Sequence, residues 1–242
     1  MDGVIIMGEA IFRQKNKQIA VNVIAACGVM TPRQFAGLGK IAEDLESSGL
    51  KLTSRQTVIV LLEEDKLPAF KEELQILGLN ISPFGNSIRA VKACSGNAEL
   101  CRRAITDALN IGIEIQSKYL GQPVPDDFKI AVAGCPRGCT DPYCADFGII
   151  GCSRNLYNIA IGGRGSSGNP LHGRTIAKKC DQRTVFQVLD FVLDKYRKFA
   201  EPEERLCKTI SRLGIEAFTP NFQLPEKNDV DEEFVAFLTS GE

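Results

Sequence analysis

The residues with the most chemistry in them are two close pairs of cysteines. Cys94 and Cys101 close the segment CSGNAELC with six residues between them, and Cys135 and Cys139 lie in GCPRGC with three between. Four thiolates in two short pairs suit a bound metal or an iron–sulfur cluster, which takes soft sulfur ligands, usually about four. Each pair would supply two ligands from one turn. Pro136 and the flanking glycines let the second turn bend so that both sulfurs face one point. Zinc competes for the same ligands, but its pairs usually enclose about two to four residues, which fits the second pair and not the first. For any one cysteine the plain alternative is a small buried hydrophobe.

The rest of the composition narrows the setting. The chain has 242 residues, 44% hydrophobic and 24% charged, which suits one large or two small globular domains with a real core. A net charge of −1 gives no broad basic field of the kind nucleic-acid binding favours, and no apolar run approaches the ~20 residues of a membrane span. The start, MDGVIIMGEA, has an acidic second residue and no basic n-region, so the expected location is the cytoplasm. Nine cysteines, an odd number, argue against a disulfide scaffold there and for metal.

Several elements must position these sulfurs. Residues 19–24 (IAVNVI) read as a strand, and Thr31-Pro32 as a helix start. Phe35, Leu38, Ala42 and Leu45 then form an apolar face, with Gly49 as the stop. Residues 51–61 read as one strand rich in β-branched residues, and a second helix follows from Pro68 to Gly78. Residues 79–93 look like a connection. A helical period runs from Cys101 to Leu120 through Ile105, Leu109 and Ile113, and residues 128–133 (FKIAVA) form a buried strand. Strands near 145–151 and 156–161, a glycine-rich stretch (GGRGSSGNPLHGR) and helices over roughly 182–213 complete the pattern. The tail from Glu226 is acidic, yet Val230, Phe234, Phe237 and Leu238 recur at helical spacing, as in a short docking helix.

Four segments together resemble one family. FKIAVAGCPRGCTDPYCADFGIIG resembles the second cysteine motif of the siroheme-dependent sulfite and nitrite reductases, and IRAVKACSG resembles their first. LTSRQTVIVL resembles the Thr-x-Arg-Gln strand of the family's ferredoxin-like half-domain, and YNIAIGGRGSSG the glycine-rich strand end after the cluster. Their order and rough spacing agree, and the likeness covers about residues 18–215.

That resemblance implies an α+β fold: a ferredoxin-like half-domain over residues 1–80, then a siroheme- and 4Fe-4S-binding α/β domain over 81–220, and an acidic tail over 221–242. It implies a 4Fe-4S cluster on Cys94, Cys101, Cys135 and Cys139, with Cys139 bridging to the siroheme iron, and reduction of sulfite or nitrite there. Siroheme carboxylates and anionic substrates call for cations, and the candidates are Arg55, Arg89, Lys129, Arg137, Arg164 and Arg174, with Arg89 and Lys129 nearest the chemistry. Gly163, with Gly162, would let backbone approach the macrocycle, or simply end a strand. His172, the one histidine, and Cys27, Cys144, Cys152, Cys180 and Cys207 are left without a role.

The pattern also departs from the family. The first pair has six intervening residues where five are usual, a Lys-x-Lys pair reads here as Asp127-Phe128-Lys129, and Ala25-Ala26-Cys27 stands where an arginine is common. A thinner anion clamp makes a non-catalytic electron carrier, or a subunit of a larger reductase, the alternative to an enzyme. A zinc-binding structural module is a third reading. The implied partners are a sulfite or nitrite anion and an external electron donor such as a ferredoxin, with no nucleic acid and no membrane. Full-size relatives have two related halves, so a second copy or a related subunit is expected to complete the site.

Overall fold

The computed structural model describes residues 8–97, 99–165 and 168–221. Two sheets organise it. The first is antiparallel, built from β1 (Ile11–Arg13), β2 (Ile19–Ile24), β3 (Gly49–Leu52) and β4 (Val58–Leu62) in the order β1-β2-β4-β3, with β5 (Asn80–Ile81) also on β2. β4 alternates buried and half-buried residues, the mark of a sheet with one face in the core. Two helices belong to this half, α1 (Pro32–Asp44) and α2 (Leu67–Ile76). Its core joins Val21, Val23, Val60 and Leu62 to Leu38, Phe70 and Leu74.

The second sheet runs β10-β9-β8-β7-β6. Its strands are β6 (Lys92–Ala93), β7 (Ile130–Ala133), β8 (Phe147–Ser153), β9 (Leu156–Ile161) and β10 (Arg174–Cys180). β6, β7 and β8 are parallel neighbours, whereas β8, β9 and β10 are antiparallel. Every residue of β7 is buried, as a central strand covered on both faces requires. The covering helices are α3 (Leu109–Tyr119), α4 (Gln182–Phe199) and α5 (Leu206–Leu213), and their core includes Ile115, Phe128, Phe147, Val188 and Tyr196.

Most element types match the sequence reading, and the start of α1 shows why. Thr31 accepts the Gln34 N–H at 3.1 Å while the Gln34 side chain accepts the Thr31 N–H at 3.0 Å, a reciprocal cap with Pro32 just inside it. Four details differ. α1 ends at Asp44, so Gly49 opens β3 rather than stopping the helix, and Phe35 is 60% exposed. The expected strand over 51–61 is a hairpin instead. The Thr53 hydroxyl gathers the N–H groups of Arg55 and Thr57, and Gln56 takes a left-handed turn (φ 60°), which folds the chain back between β3 and β4.

The expected helix from Cys101 begins only at Leu109, because Ile105 and Thr106 donate their N–H groups to the Gly134 carbonyl rather than to a preceding turn. β10 fills a stretch with no clear alternation, and its pairing with β9 slips register twice. The expected tail helix lies outside the described residues. No helix among the described residues is long and apolar enough to cross a membrane.

Candidate functional site

The parallel pair β6 and β7 puts two cysteine segments side by side. Lys92 and Ala93 pair with Ala131 and Val132, so Cys94 and Gly134-Cys135 leave adjacent strands at the same end. Ligand sites in such sheets gather beyond the carboxyl ends of the parallel strands. The Gly134 N–H donates to the Cys94 sulfur at 3.2 Å. A methyl on Gly96 would come within 2.9 Å of that sulfur and 3.2 Å of the Gly134 Cα, so backbone alone wraps it. Burial pushes the Cys94 thiol up, with repulsion from Cys139 and Cys135 adding to it and the Gly134 and Gly96 amides opposing it.

Past Cys135 the chain turns through Gly138, which has a positive φ of 62°, and the Thr140 hydroxyl ties the turn back to the Val132 carbonyl at 2.8 Å. Cys135 is half-buried and Cys139 exposed. Cys101 lies half-buried ahead of Ile105 and Thr106, whose N–H groups return the chain to the Gly134 carbonyl. Among the described residues, no three such side chains converge tightly enough for a single metal ion.

Beside these segments a cavity of about 310 Å³ opens, and its cations are Arg55, Lys92 and Lys129. Arg55 arrives from the β3–β4 turn and is anchored by an Nη2 hydrogen bond to the Ala90 carbonyl at 2.6 Å. Burial, with Arg89 nearby, lowers its affinity for its proton. Lys92 pairs with Asp141 at 3.2 Å, which links the residue two before Cys94 to the residue two after Cys139. Lys129 Nζ sits 2.8 Å from Asp127. Cys144 also lines this wall and is exposed.

The other expected residues are placed differently. Arg89 is not in the cavity wall; its guanidinium donates to Asp127 at 2.9 Å and covers the Phe84 ring at 4.6 Å. Arg137 is exposed on the cysteine turn. Arg174 and His172 line a separate cavity of about 450 Å³ beside α5, with His172 stacked on Tyr143. Arg164 bridges to Leu171 through backbone. Gly163 is needed for packing of protein on protein: a methyl there would lie 2.2 Å from the Tyr143 carbonyl and 2.6 Å from that of Ala145.

The matches with known proteins follow this layout. Residues 84–229 match the family described as the nitrite and sulphite reductase 4Fe-4S domain, and residues 12–76 match the nitrite/sulfite reductase ferredoxin-like half domain. The chain belongs to the nitrite and sulfite reductase family. It is 27% identical over 210 residues to an assimilatory-type sulfite reductase of Nitratidesulfovibrio vulgaris, covering 86% of this chain and 94% of that protein. It is 28% identical over 202 residues to the large subunit of a nitrite reductase [NAD(P)H] of Klebsiella oxytoca, covering 83% of this chain but only 21% of that subunit. In fold it resembles dissimilatory sulfite reductase I, with a TM-score of 0.77 at 14% identity over 96% of this chain and 80% of the other. The NirA protein of Mycobacterium tuberculosis gives 0.71 at 20% identity, over 87% and 41%.

This reductase family is one of oxidoreductases, and its cofactors are a 4Fe-4S cluster and siroheme. The residues present fit them. Soft thiol donors, a sulfur already receiving a backbone N–H and a glycine-lined cradle suit a cluster, and three cations around a cavity suit an acidic macrocycle and an anion.

Three contributors went unread in the sequence. Lys92 was legible from its place two residues before Cys94. Gln56 stood inside the Thr-x-Arg-Gln segment, yet its partner is Ala93. Arg205 gave no signal: it donates to the fully buried Asp146 at 2.7 Å and to Asp127 at 3.3 Å, joining two acids across 59 and 78 residues of chain.

Proposed function

We propose that Cys94, Cys101, Cys135 and Cys139 hold the cluster, that Cys139 is also the link to siroheme, and that Arg55, Lys92 and Lys129 bind and orient a sulfite or nitrite anion for reduction. The cofactor pair, when bound, would relay electrons from an external donor to the anion; the chain supplies ligation, charge and protons. One observation carries this reading: the Cys94 and Cys135 segments leave neighbouring parallel strands beside a cavity lined by three cations. Arg55 presents a planar fork suited to an oxyanion or a siroheme carboxylate, whereas Lys129 is a compact charge with a transferable proton. Arg89, Arg137, Arg164, Arg174 and Gly163 belong to the supporting surround rather than to the anion contact. The half-domain and the cluster domain divide near residue 80. The protein works in the cytoplasm with an electron donor such as a ferredoxin, and a second copy or related subunit completes the cofactor site.

A second reading has its own support. Asp127 takes Arg89, Lys129 and Arg205 at 2.9, 2.8 and 3.3 Å, which leaves less free positive charge for a substrate. That favours an electron carrier. Anaerobic purification separates the two readings. The enzyme gives a Soret band with cluster absorbance, and both change on adding sulfite or nitrite. Cluster absorbance without a tetrapyrrole band supports the carrier, and a colourless protein with stoichiometric zinc overturns both. Cys139→Ser should abolish the spectroscopic coupling of the two cofactors; an unaltered coupled spectrum would remove Cys139 as the link. Light scattering of the loaded protein tests the partner subunit, and a strict monomer rules it out.

A further inference from the structure

β6 is only two residues long, and it ends in Ala93 immediately before Cys94. On one side β7 holds it, and the Cys94 N–H donates to the Val132 carbonyl at 3.0 Å. Among the described residues the other side has no strand. There the Gln56 side chain stands in for one: its Nε2 donates to the Ala93 carbonyl at 2.6 Å and its Oε1 accepts the Ala93 N–H at 2.9 Å. One side-chain amide thus repeats the paired bonds of a ladder rung.

Gln56 is itself rigidly placed. It sits left-handed in the turn that the Thr53 hydroxyl gathers, and a methyl on Gly28 would come within 2.8 Å of its Cβ, so the chain packs closely behind it. We propose that Gln56 is the positioning residue for Cys94, in which an amide from the first half of the molecule locks the peptide that aims the first cluster sulfur. This rests on the reading of Cys94 as a cluster ligand.

A plainer role competes with it. Gln116 also ties the halves, accepting the Val91 N–H at 3.0 Å and donating to the Ala25 carbonyl at 2.8 Å. Gln56 could be one more tie of that kind. The two roles separate because Gln116 grips the chain three residues before Cys94, and Gln56 grips the residue next to it.

The experiment compares Gln56→Met, Gln56→Glu and Gln116→Leu with the unaltered protein. In metal-free protein, the rate of Cys94 alkylation by iodoacetamide is followed by peptide mass spectrometry, with Cys135 as the internal reference. Local release of the Ala93–Cys94 peptide should raise the Cys94 rate by roughly tenfold in Gln56→Met and leave it near the starting value in Gln116→Leu. In reconstituted protein, the same Gln56 variant should shift the EPR g-values and midpoint potential of the reduced cluster. Equal Cys94 rates in the two glutamine variants, with an unshifted cluster signal, would overturn the proposal and leave Gln56 a simple tie. If circular dichroism shows Gln56→Met unfolded, Gln56→Glu decides by the same criteria, since it keeps the acceptor for the Ala93 N–H and replaces the donor to the Ala93 carbonyl with a second acceptor. Failure of the unaltered protein to take up iron would sink the cluster reading, while the alkylation rates would still judge Gln56.

Discussion

The two halves of this reductase handle charge and backbone in opposite ways. In the first, the core is apolar and no ion pair among the described residues is drawn as deep: Arg13 with Glu64 and Lys40 with Asp44 are roughly half exposed or more, and Lys71 with Glu9 is about a third exposed. In the second, charge is drawn inside. Asp146 is fully buried, Arg205 is 15% exposed, and the two are joined at 2.7 Å behind the Lys129 that lines the cavity. Ser87 Oγ, Arg89 Nε, Arg205 Nε and Asp146 Oδ1 are buried there without a protein partner. Buried polar groups cost stability unless paired, so such a network is weak evidence of a stabilising device and better evidence of a functional one. The first half is a platform that contributes the Arg55 turn to the cavity; the second carries the four cysteines proposed for the cluster, with Lys92 and Lys129.

The largest test of that contrast is Arg205→Met. It leaves Asp146 buried without its cation, and breaking such a pair from one side costs about 3–5 kcal/mol. Urea denaturation should show the loss. A cost below about 1 kcal/mol, the range of exposed pairs such as Arg13–Glu64, would erase the distinction between the halves.

Next in size is a pH effect of unusual sign. Burial pushes the Asp146 carboxyl up to about 6, against the pull of Arg205 and of the Lys129 N–H. The folded state therefore holds this proton more tightly than the unfolded chain does, whose carboxyl titrates near 4. The stability tied to Asp146 is complete below about pH 4 and is lost as pH rises through 6, on the order of 3 kcal/mol in all. Glu204, held near 2 chiefly by its hydrogen bond to Arg212, works the other way and loses its contribution only as pH falls below the usual carboxylate range. The difference between the parent and Asp146→Asn across pH 4–7 isolates the first effect. Parallel stability curves for the two proteins would refute it.

How far the sequence carried this picture depends on the range of the interactions. β2, β7 and β9 were legible because alternation or continuous apolar runs are local, and so was the Thr31 cap of α1. The cysteine pairs were legible for the same reason. The β3–β4 hairpin was not, because its turn is made by the Thr53 hydroxyl and a left-handed Gln56, and neither disturbs the β-branched run around it. The late start of α3 was hidden because the Gly134 carbonyl that takes up the 105–106 amides is nearly 30 residues away. Asp127 read as a missing cation; in space it is where three cations meet. Arg205 could not be read at all, since nothing near position 205 marks it as the partner of residue 146.

Glycine substitutions sharpen the comparison further. Gly163 lies on one of the second half's tightest backbone contacts, so Gly163→Ala should force the Tyr143 and Ala145 carbonyls apart and cost about 1–3 kcal/mol. It should also disturb the wall formed by Cys144 and Ala145, visible as a weakened anion-induced spectral change. A neutral result would show that the close approach of the two carbonyls does not require glycine at 163.

The smallest effect has the reverse sign. Gly39 lies inside α1, is exposed, and an added methyl would meet nothing within 4 Å. Glycine in a helix interior is worse than alanine by roughly 0.5–1 kcal/mol, because the unfolded chain gains freedom that the helix must remove. Gly39→Ala should therefore raise the thermal midpoint by a few degrees, with cluster content and spectrum unchanged. The same substitution thus stabilises on the platform and destabilises at the site, because glycine at 39 answers no steric demand and at 163 it answers two carbonyl oxygens. If Gly39→Ala lowered the midpoint or bleached the cluster, α1 would have to touch something beyond this chain, and the first half could no longer be regarded as a passive support.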